Sequence, residues 1–323
     1  MTTMSSKSNI LEVNYLKTWF PIKRGVLART VGNVRAVDGV TFAIEKGETL
    51  GLVGESGCGK TTMGRTLLGL EKIHAGEVLL DGSPLSGMQR KALQSMRRKI
   101  QIIFQDPLSA LNPRMNILDI ITEGLAQFDM LVDGRESMAK KLLEEVGLSE
   151  NMMYRYPHEF SGGHRQRINI ARAVSMKPEF IVCDEPVSAL DVSVQAQIIN
   201  LLLDLREKYG LAYLFISHDL SVVSHISQRV AVMYLGKIVE HGRTGAVIHN
   251  PRHPYTRALI AAVPVPGDQR GEKVVLPGNM PSPANPPPGC PFHPRCPDVM
   301  AVCREKFPRE RDDGTQRVSC HLY

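Results

Sequence analysis

The chain has 323 residues, of which 43% are apolar and 22% charged, an ordinary globular balance with length for roughly two domains. No run of about 18 apolar residues occurs, which argues against a membrane-spanning helix, and residues 1–9 lack the apolar core of a secretion signal, so the protein is expected to stay in the cytosol. A formal net charge of +6 would suit an anionic membrane surface or nucleotides, but reads first as a solvated basic surface with no function.

Taken in chain order, the first hundred residues are strand-rich. Residues 35–44 mix small and β-branched side chains before a turn at Lys46-Gly47, and residues 77–82 form another short strand ending in a turn. Between them, residues 49–53 (Thr-Leu-Gly-Leu-Val) read as a buried strand. It runs into Gly54-Glu55-Ser56-Gly57-Cys58-Gly59-Lys60-Thr61, which fits the phosphate-loop pattern G-x-x-x-x-G-K-[ST] without a mismatch. Glycines let successive N–H groups turn inward toward phosphate oxygens. Lys60 is placed to reach the β and γ phosphates, and the Thr61 hydroxyl to bind Mg²⁺. Thr62 opens a helix whose dipole favours anions. The ligand class implied is a nucleoside triphosphate with Mg²⁺.

From about 108 to 176 the character turns helical, with apolar residues three and four apart over 117–125 and 136–146. Alternation of strand and helix then resumes: strand 180–183, helix 194–208, strand 212–216, helix 220–226, and a hairpin-like pair at 229–234 and 238–241. Three strand ends carry candidate chemistry. Asp184 and Glu185 follow an apolar strand, where ligands of such sheets bind; Asp184 suits Mg²⁺ held through water, and Glu185 suits activation of a water for in-line attack. His218 ends a second strand and is a candidate γ-phosphate contact. Gln105 ends the strand 100–104 and is a candidate for Mg²⁺ or the attacking water. Ser161-Gly162-Gly163-His164 precedes an apolar helical run, so a hydroxyl and bare amides at a helix N-terminus make an anion site, or simply a helix cap.

In their order, the phosphate loop, Gln105, the segment at 161, Asp184-Glu185, Ser188-Ala189-Leu190-Asp191 and His218 resemble an ATP-binding cassette (ABC) nucleotide-binding subunit over residues 10–245. The resemblance implies an α/β fold: an ABC-type P-loop NTPase core, an antiparallel β subdomain and a helical signature subdomain at about 108–176. It also implies head-to-tail dimers that sandwich ATP between the phosphate loop of one copy and the signature Ser161, Gly162 and Gly163 of the other, with Asp191 at the seam. An aromatic that stacks on adenine is implied near the N-terminus; Phe20 is the first choice, with Trp19 or Tyr15 as alternatives. Two departures stand out. Phe160 replaces the leucine of the family's Leu-Ser-Gly-Gly-Gln signature, and His164 replaces its glutamine, changing side-chain length and adding a titratable group. The catalytic positions are intact, which predicts a hydrolysing site.

After Pro251 the composition shifts to a proline-rich tail, including Pro264, Pro266, Pro277, Pro281, Pro283, Pro286, Pro287 and Pro288. Residues 246–323 are read as a loop-rich C-terminal extension, separate from a nucleotide-binding domain at 1–245. Asn250-Pro251-Arg252-His253-Pro254-Tyr255 and Cys290-Pro291-Phe292-His293-Pro294-Arg295-Cys296-Pro297 resemble the extension of oligopeptide and dipeptide importer ATPases. Residues 104–114 fit the same subfamily. The resemblance implies a peripheral subunit on the cytoplasmic face of the inner membrane. Its expected partners are a related ATPase (a heterodimer), two transmembrane permeases and an external substrate-binding protein. Some relatives in that group carry nickel or other metal chelates, glutathione or sugars.

Cys290, Cys296, Cys303 and Cys320 cluster in the tail, and in a reducing compartment such clustering points to metal before disulfide. Four thiolates suit zinc or an iron–sulfur centre; His293 and His321 lie close by. The family resemblance implies a 4Fe-4S cluster in a structural role. Other functions fit the residues less well. A cassette acting on ribosomes or nucleic acid usually has tandem cassettes or long coiled coils, and neither occurs here. The guanine-reading Asn-Lys-x-Asp motif of GTPases is absent. A non-hydrolysing regulatory cassette is the remaining alternative.

Overall fold

The computed structural model describes residues 8–25, 28–88, 90–262 and 278–323, so Pro264, Pro266, Pro277 and most of the N-terminal stretch read above lie outside the described residues. In chain order the strands are β1 (Asn9–Arg24), β2 (Arg29–Glu45), β3 (Thr49–Val53), β4 (Ala75–Leu80), β5 (Ser83–Pro84), β6 (Ile100–Ile103), β7 (Phe180–Asp184), β8 (Ala212–Ser217), β9 (Arg229–Tyr234), β10 (Lys237–Arg243), β11 (Glu310–Asp312) and β12 (Gln316–Ser319). The helices are α1 (Lys60–Leu67), α2 (Arg90–Lys99), α3 (Pro107–Ala110), α4 (Ile117–Gln127), α5 (Arg135–Glu145), α6 (Gly162–Ser175), α7 (Val192–Tyr209), α8 (Leu220–Ile226), α9 (Thr244–His249), α10 (Pro254–Ala261) and α11 (Ala301–Glu305).

Two compact units divide the chain. The first holds residues 45–48 and 88–214 with the described part of 1–10. Its β6 and β7 pair in parallel, Ile100 opposite Phe180 and Ile103 opposite Cys183. All five residues of β7 are buried, as expected for an apolar run without alternation. The helical insert expected at 108–176 is present as α3 to α6. Its core includes Ile117, Ile121, Leu143, Ile168 and Ile170, spaced along the faces that α4, α5 and α6 turn to one another. The buried Tyr213 donates its hydroxyl to the Leu202 carbonyl (3.0 Å), locking α7 to β8.

The second unit holds residues 11–44, 49–87 and the described part of 215–323. One sheet here is antiparallel, in the order β2-β1-β4-β5. Strand β1 has no clear signature in the sequence. Its burial alternates through Leu11 and Val13 and then slips, because a register shift between Asn14 and Lys17 breaks the ladder and Tyr15 takes φ 47°. The other sheet carries β3 parallel to β9, with Leu50 opposite Arg229 and Val53 opposite Val232. The β9–β10 hairpin falls where the residue pattern puts it.

The tail has more regular structure than its prolines suggest. Strand β12 pairs antiparallel with β10 (Glu240 opposite Val318), and β11 pairs with β12, so the last residues extend the sheet edge. Helix α10 starts at Pro254, with the His253 ring accepting the Tyr255 N–H (3.1 Å) as an N-cap. Glu240, on β10 and fully buried, fastens this start. Its two carboxylate oxygens accept the N–H groups of Arg252 (2.8 Å) and His253 (3.0 Å). Replacing Glu240 with Ala orphans both donors, and the urea unfolding free energy is expected to fall by about 2–4 kcal/mol; an unchanged midpoint would show that solvent takes over both bonds.

Candidate active site

Strand β3 ends at Val53, and the chain then turns through residues 54–59 into α1. The turn is possible only because glycine occupies its tight points. Gly54 sits at φ 156° and Gly59 at φ 111°. A Cβ on Gly54 would lie 2.2 Å from the Met233 carbonyl oxygen, and one on Gly59 would lie 2.1 Å from that of Ala36. Lys60, the first residue of α1, is buried. Its ammonium donates to the carbonyls of Gly54 (2.7 Å) and Glu55 (3.0 Å). The amine is thus held against the backbone of its own loop. Thr61 is exposed, Thr62 half-buried, and Ser56 and Gly57 are exposed, so the loop presents its backbone outward. Cys58 is buried; desolvation pushes its thiol pKa up, outweighing the downward pull of the Lys60 ammonium. It stays a neutral packing group.

In the other unit, β6 and β7 end side by side. Ile103 faces Cys183, and Gln105 and Glu185 follow two residues later on their respective chains. The Gln105 side-chain amide donates to the Glu185 carboxylate at 3.1 Å. These two sequence-predicted groups are therefore brought into contact. Asp184, the last residue of β7, is buried at 5% exposure, and Glu185 takes φ 46°, a left-handed backbone that aims its side chain away from the strand direction at a modest strain cost.

The segment around Gln105 is held by α6. Asn169 donates to the Phe104 carbonyl (3.4 Å), and Arg172 donates to the Ala110 carbonyl (2.6 Å) and to Asn169 (3.1 Å). Ser161 is the N-cap of α6 and accepts the His164 N–H (3.4 Å). Ser161 and Gly162 are exposed, Gly163 half-buried. A Cβ on Gly163 would meet Val194 at 2.7 Å, so this glycine lets α6 approach α7. His164 lies edge-on to Phe160, centroids 6.2 Å apart; the two departures from the signature pattern touch each other. Asp191 caps α7: it accepts from the Ser193 hydroxyl (2.7 Å) and the Val194 N–H (3.0 Å). The Ser193 bond, then that of Val194, holds its carboxyl below the usual range.

His218 is exposed just beyond β8. Phe20 is 37% exposed and Tyr15 75% exposed, so both present ring surface. Trp19 is engaged instead: it stacks on His74 (4.5 Å), with the Lys17 and Arg35 cations over its ring at 5.3 and 5.1 Å.

Two groups from the tail join the loop without any signal in the sequence. The Tyr255 hydroxyl accepts the Glu55 N–H (2.8 Å), and one Arg295 nitrogen donates to both Glu55 carboxylate oxygens (3.1 and 3.0 Å). The pairs are 200 and 240 residues apart, and no local pattern links them.

The tail cysteines depart from expectation. All four are free thiols and line one cavity together with His253 and His293. The His253 Nε2 is buried without a hydrogen-bond partner among the described residues, and burial drives its pKa down to about 3. This donor set suits a thiolate centre in kind. The enclosed space, however, is only about 10 Å³, enough for one water-sized body, and no group of three or more His, Cys, Asp or Glu among the described residues has metal-holding geometry. As arranged, Cys290, Cys296, Cys303 and Cys320 do not accommodate the expected 4Fe-4S cluster. No helix among the described residues is long and apolar enough to cross a membrane.

The fold is shared with solved ABC proteins. The cbiO1 protein of Clostridium perfringens, part of the transporter complex cbiONQ, aligns with a TM-score of 0.65 at 25% identity, covering 76% of this chain and 92% of its own. The cassette MJ0796, in a dimeric post-hydrolysis state bound to ADP and Pi, aligns at 0.64 and 26% identity, covering 72% and 98%. The ABC transporter family profile matches residues 37–188. The chain is an ATP-binding-cassette ATPase.

A second profile, the oligopeptide/dipeptide transporter C-terminal region, matches residues 239–303. The oligopeptide transport ATP-binding protein AppF of Bacillus subtilis is 51% identical over 327 residues, 99% of both chains. OppF and DppF of Escherichia coli, named for oligopeptide and dipeptide transport, are 49% and 47% identical, each over 96% of this chain and 95% and 93% of their own. The chain belongs to the ATP-binding subunits of the oligopeptide/dipeptide ABC transporters. Because the phosphate loop tolerates no Cβ at position 59, Gly59→Ala is expected to weaken MgATP binding by tens to hundreds of fold, at a strain of about 2–4 kcal/mol, measured by equilibrium binding to the folded variant.

Proposed function

We propose that this subunit powers import of di- or oligopeptides through a membrane transporter by closing on ATP and reopening after hydrolysis. The near full-length similarity to AppF carries the cargo class; the Gln105–Glu185 contact carries the chemistry. Residues 1–245 form the nucleotide-binding domain in this reading, and residues 246–323 the transporter-specific extension. Metal chelates and glutathione are the alternative cargoes, and a competition uptake assay with defined peptides separates them. The subunit works at the cytoplasmic membrane face beneath two permeases, paired with a related ATPase and fed by an external binding protein.

Residues 54–62 cradle the phosphates, and Lys60 exchanges its loop carbonyls for the β and γ oxygens. Phe20 stacks on the adenine ring. Thr61, Gln105 and Asp184 each offer a hard oxygen donor that would suit Mg²⁺, directly or through water, and the ion would supply charge neutralisation for the phosphates. Glu185 accepts a proton from the attacking water, with Gln105 fixing the carboxylate's orientation through their hydrogen bond. His218 contacts the γ-phosphate. Ser161, Gly162 and Gly163 of one subunit meet the nucleotide of the other, with Asp191 at the seam, and the helical segment after Gln105 passes the motion to the permease.

Glu185→Gln is expected to bind MgATP like the native subunit, to lose turnover by about 100-fold or more, and to accumulate as an ATP-bound dimer on size exclusion. Near-native turnover would remove Glu185 from the catalytic role.

A metal centre held by the tail cysteines as a structural staple, iron–sulfur first and zinc second, is proposed on their donor chemistry alone, since the space among them is narrower than a cluster needs. Elemental and acid-labile sulfide analysis of protein purified without oxygen is expected to find iron with matching sulfide. Zinc without sulfide selects the second reading, and neither metal rejects both.

A further inference from the structure

We propose that Arg295, helped by Tyr255, is a positioning residue for ATP binding: the C-terminal extension sets nucleotide affinity by holding Glu55 of the phosphate loop. Every polar group of Glu55 is engaged. Its N–H goes to the Tyr255 hydroxyl (2.8 Å), its carbonyl takes the Lys60 ammonium (3.0 Å), and its carboxylate takes Arg295 on both oxygens (3.1 and 3.0 Å). Two of the three partners lie in the tail.

The grip is rigid. Arg295 is 6% exposed. Its guanidinium lies 6.0 Å from the centroid of the Tyr234 ring, and Tyr234 packs edge-on against Tyr255 (4.7 Å) and Phe292 (5.2 Å). All three rings are fully buried. The Arg295 backbone belongs to a single turn, His293–Arg295, with its N–H on the Phe292 carbonyl (2.9 Å). That turn lies between Cys290 and Cys296, so the local fold of the cysteine segment fixes where the guanidinium sits.

Charge gives the contact its function. A carboxylate inside a phosphate loop repels a triphosphate, and partial burial weakens the screening that water would provide. Arg295 neutralises Glu55 and turns it aside, while Tyr255 fixes the Glu55 amide. Without Arg295, the negative charge is free to swing toward the phosphates.

This inference rests on reading residues 54–62 as the ATP site. Equilibrium binding of MgATP to the full-length subunit at fixed salt tests it. Arg295→Ala is expected to weaken binding about tenfold or more and Arg295→Lys less, since lysine keeps the charge but loses the fork. In the Glu55→Gln background the same Arg295 substitutions are expected to cost less than about twofold, because no charge remains to neutralise. In the assembled transporter, Arg295→Lys should raise KM for ATP and leave kcat within about twofold. Equal losses with and without the Glu55 charge would mark a merely structural role and overturn the proposal, as would native affinity in Arg295→Ala. If Arg295→Ala does not fold, Arg295→Lys measured in both backgrounds decides between the same two outcomes. Lys60→Ala is the control: if it alone loses MgATP, the site stands and the Arg295 inference falls; if it binds like native, the site reading itself falls.

Discussion

A backbone that must pass within van der Waals contact of its neighbours governs the second unit. Gly54 and Gly59 have carbonyl oxygens where their Cβ atoms would be, and both sit at positive φ. The loop can close over its own amides only under that restriction. Lys60 then finds its loop's carbonyls within reach and rests there, buried and already desolvated. In the proposed reading, a cation held this way would exchange weak dipoles for phosphate charge, without first stripping water from the amine.

In the first unit the corresponding constraint is strand register. Parallel pairing aligns Ile103 with Cys183 and so starts the Gln105 and Glu185 segments side by side, and the left-handed turn at Glu185 completes their contact. Helix α6 secures this arrangement through Asn169 and Arg172. The helix whose N-terminus carries Ser161 therefore also supports the Gln105 segment, and a shift of one would be felt by the other.

Buried polar groups with specific partners organise the C-terminal extension. Glu240 caps the entry, Arg295 closes on Glu55, and His253 is kept neutral so that its Nδ1 can cap α10. The His253 Nε2 is the exception among these groups; its residue lines the cavity that the four cysteines share. An apolar set of thiols around an orphaned imidazole nitrogen is an expensive arrangement to bury for packing alone.

Much of this is legible in the residues. The phosphate loop, the strand before it, the acids after β7, the helical insert and the β9–β10 hairpin all follow from glycine spacing, apolar runs and periodicity, because each is decided within a few residues. Strand β1 is hidden because its register shift scrambles the alternation, and the tail strands because proline content masks short ladders completed by a distant partner. The sequence alone determined where the glycine-rich loop with its lysine falls, which carboxylates end a strand, and which thiols cluster. Only the tertiary structure decided which groups meet. Gln105 reaching Glu185 across 80 residues, Arg295 reaching Glu55 across 240, and the narrow space left among the cysteines depend on strand register and packing, which no local propensity encodes.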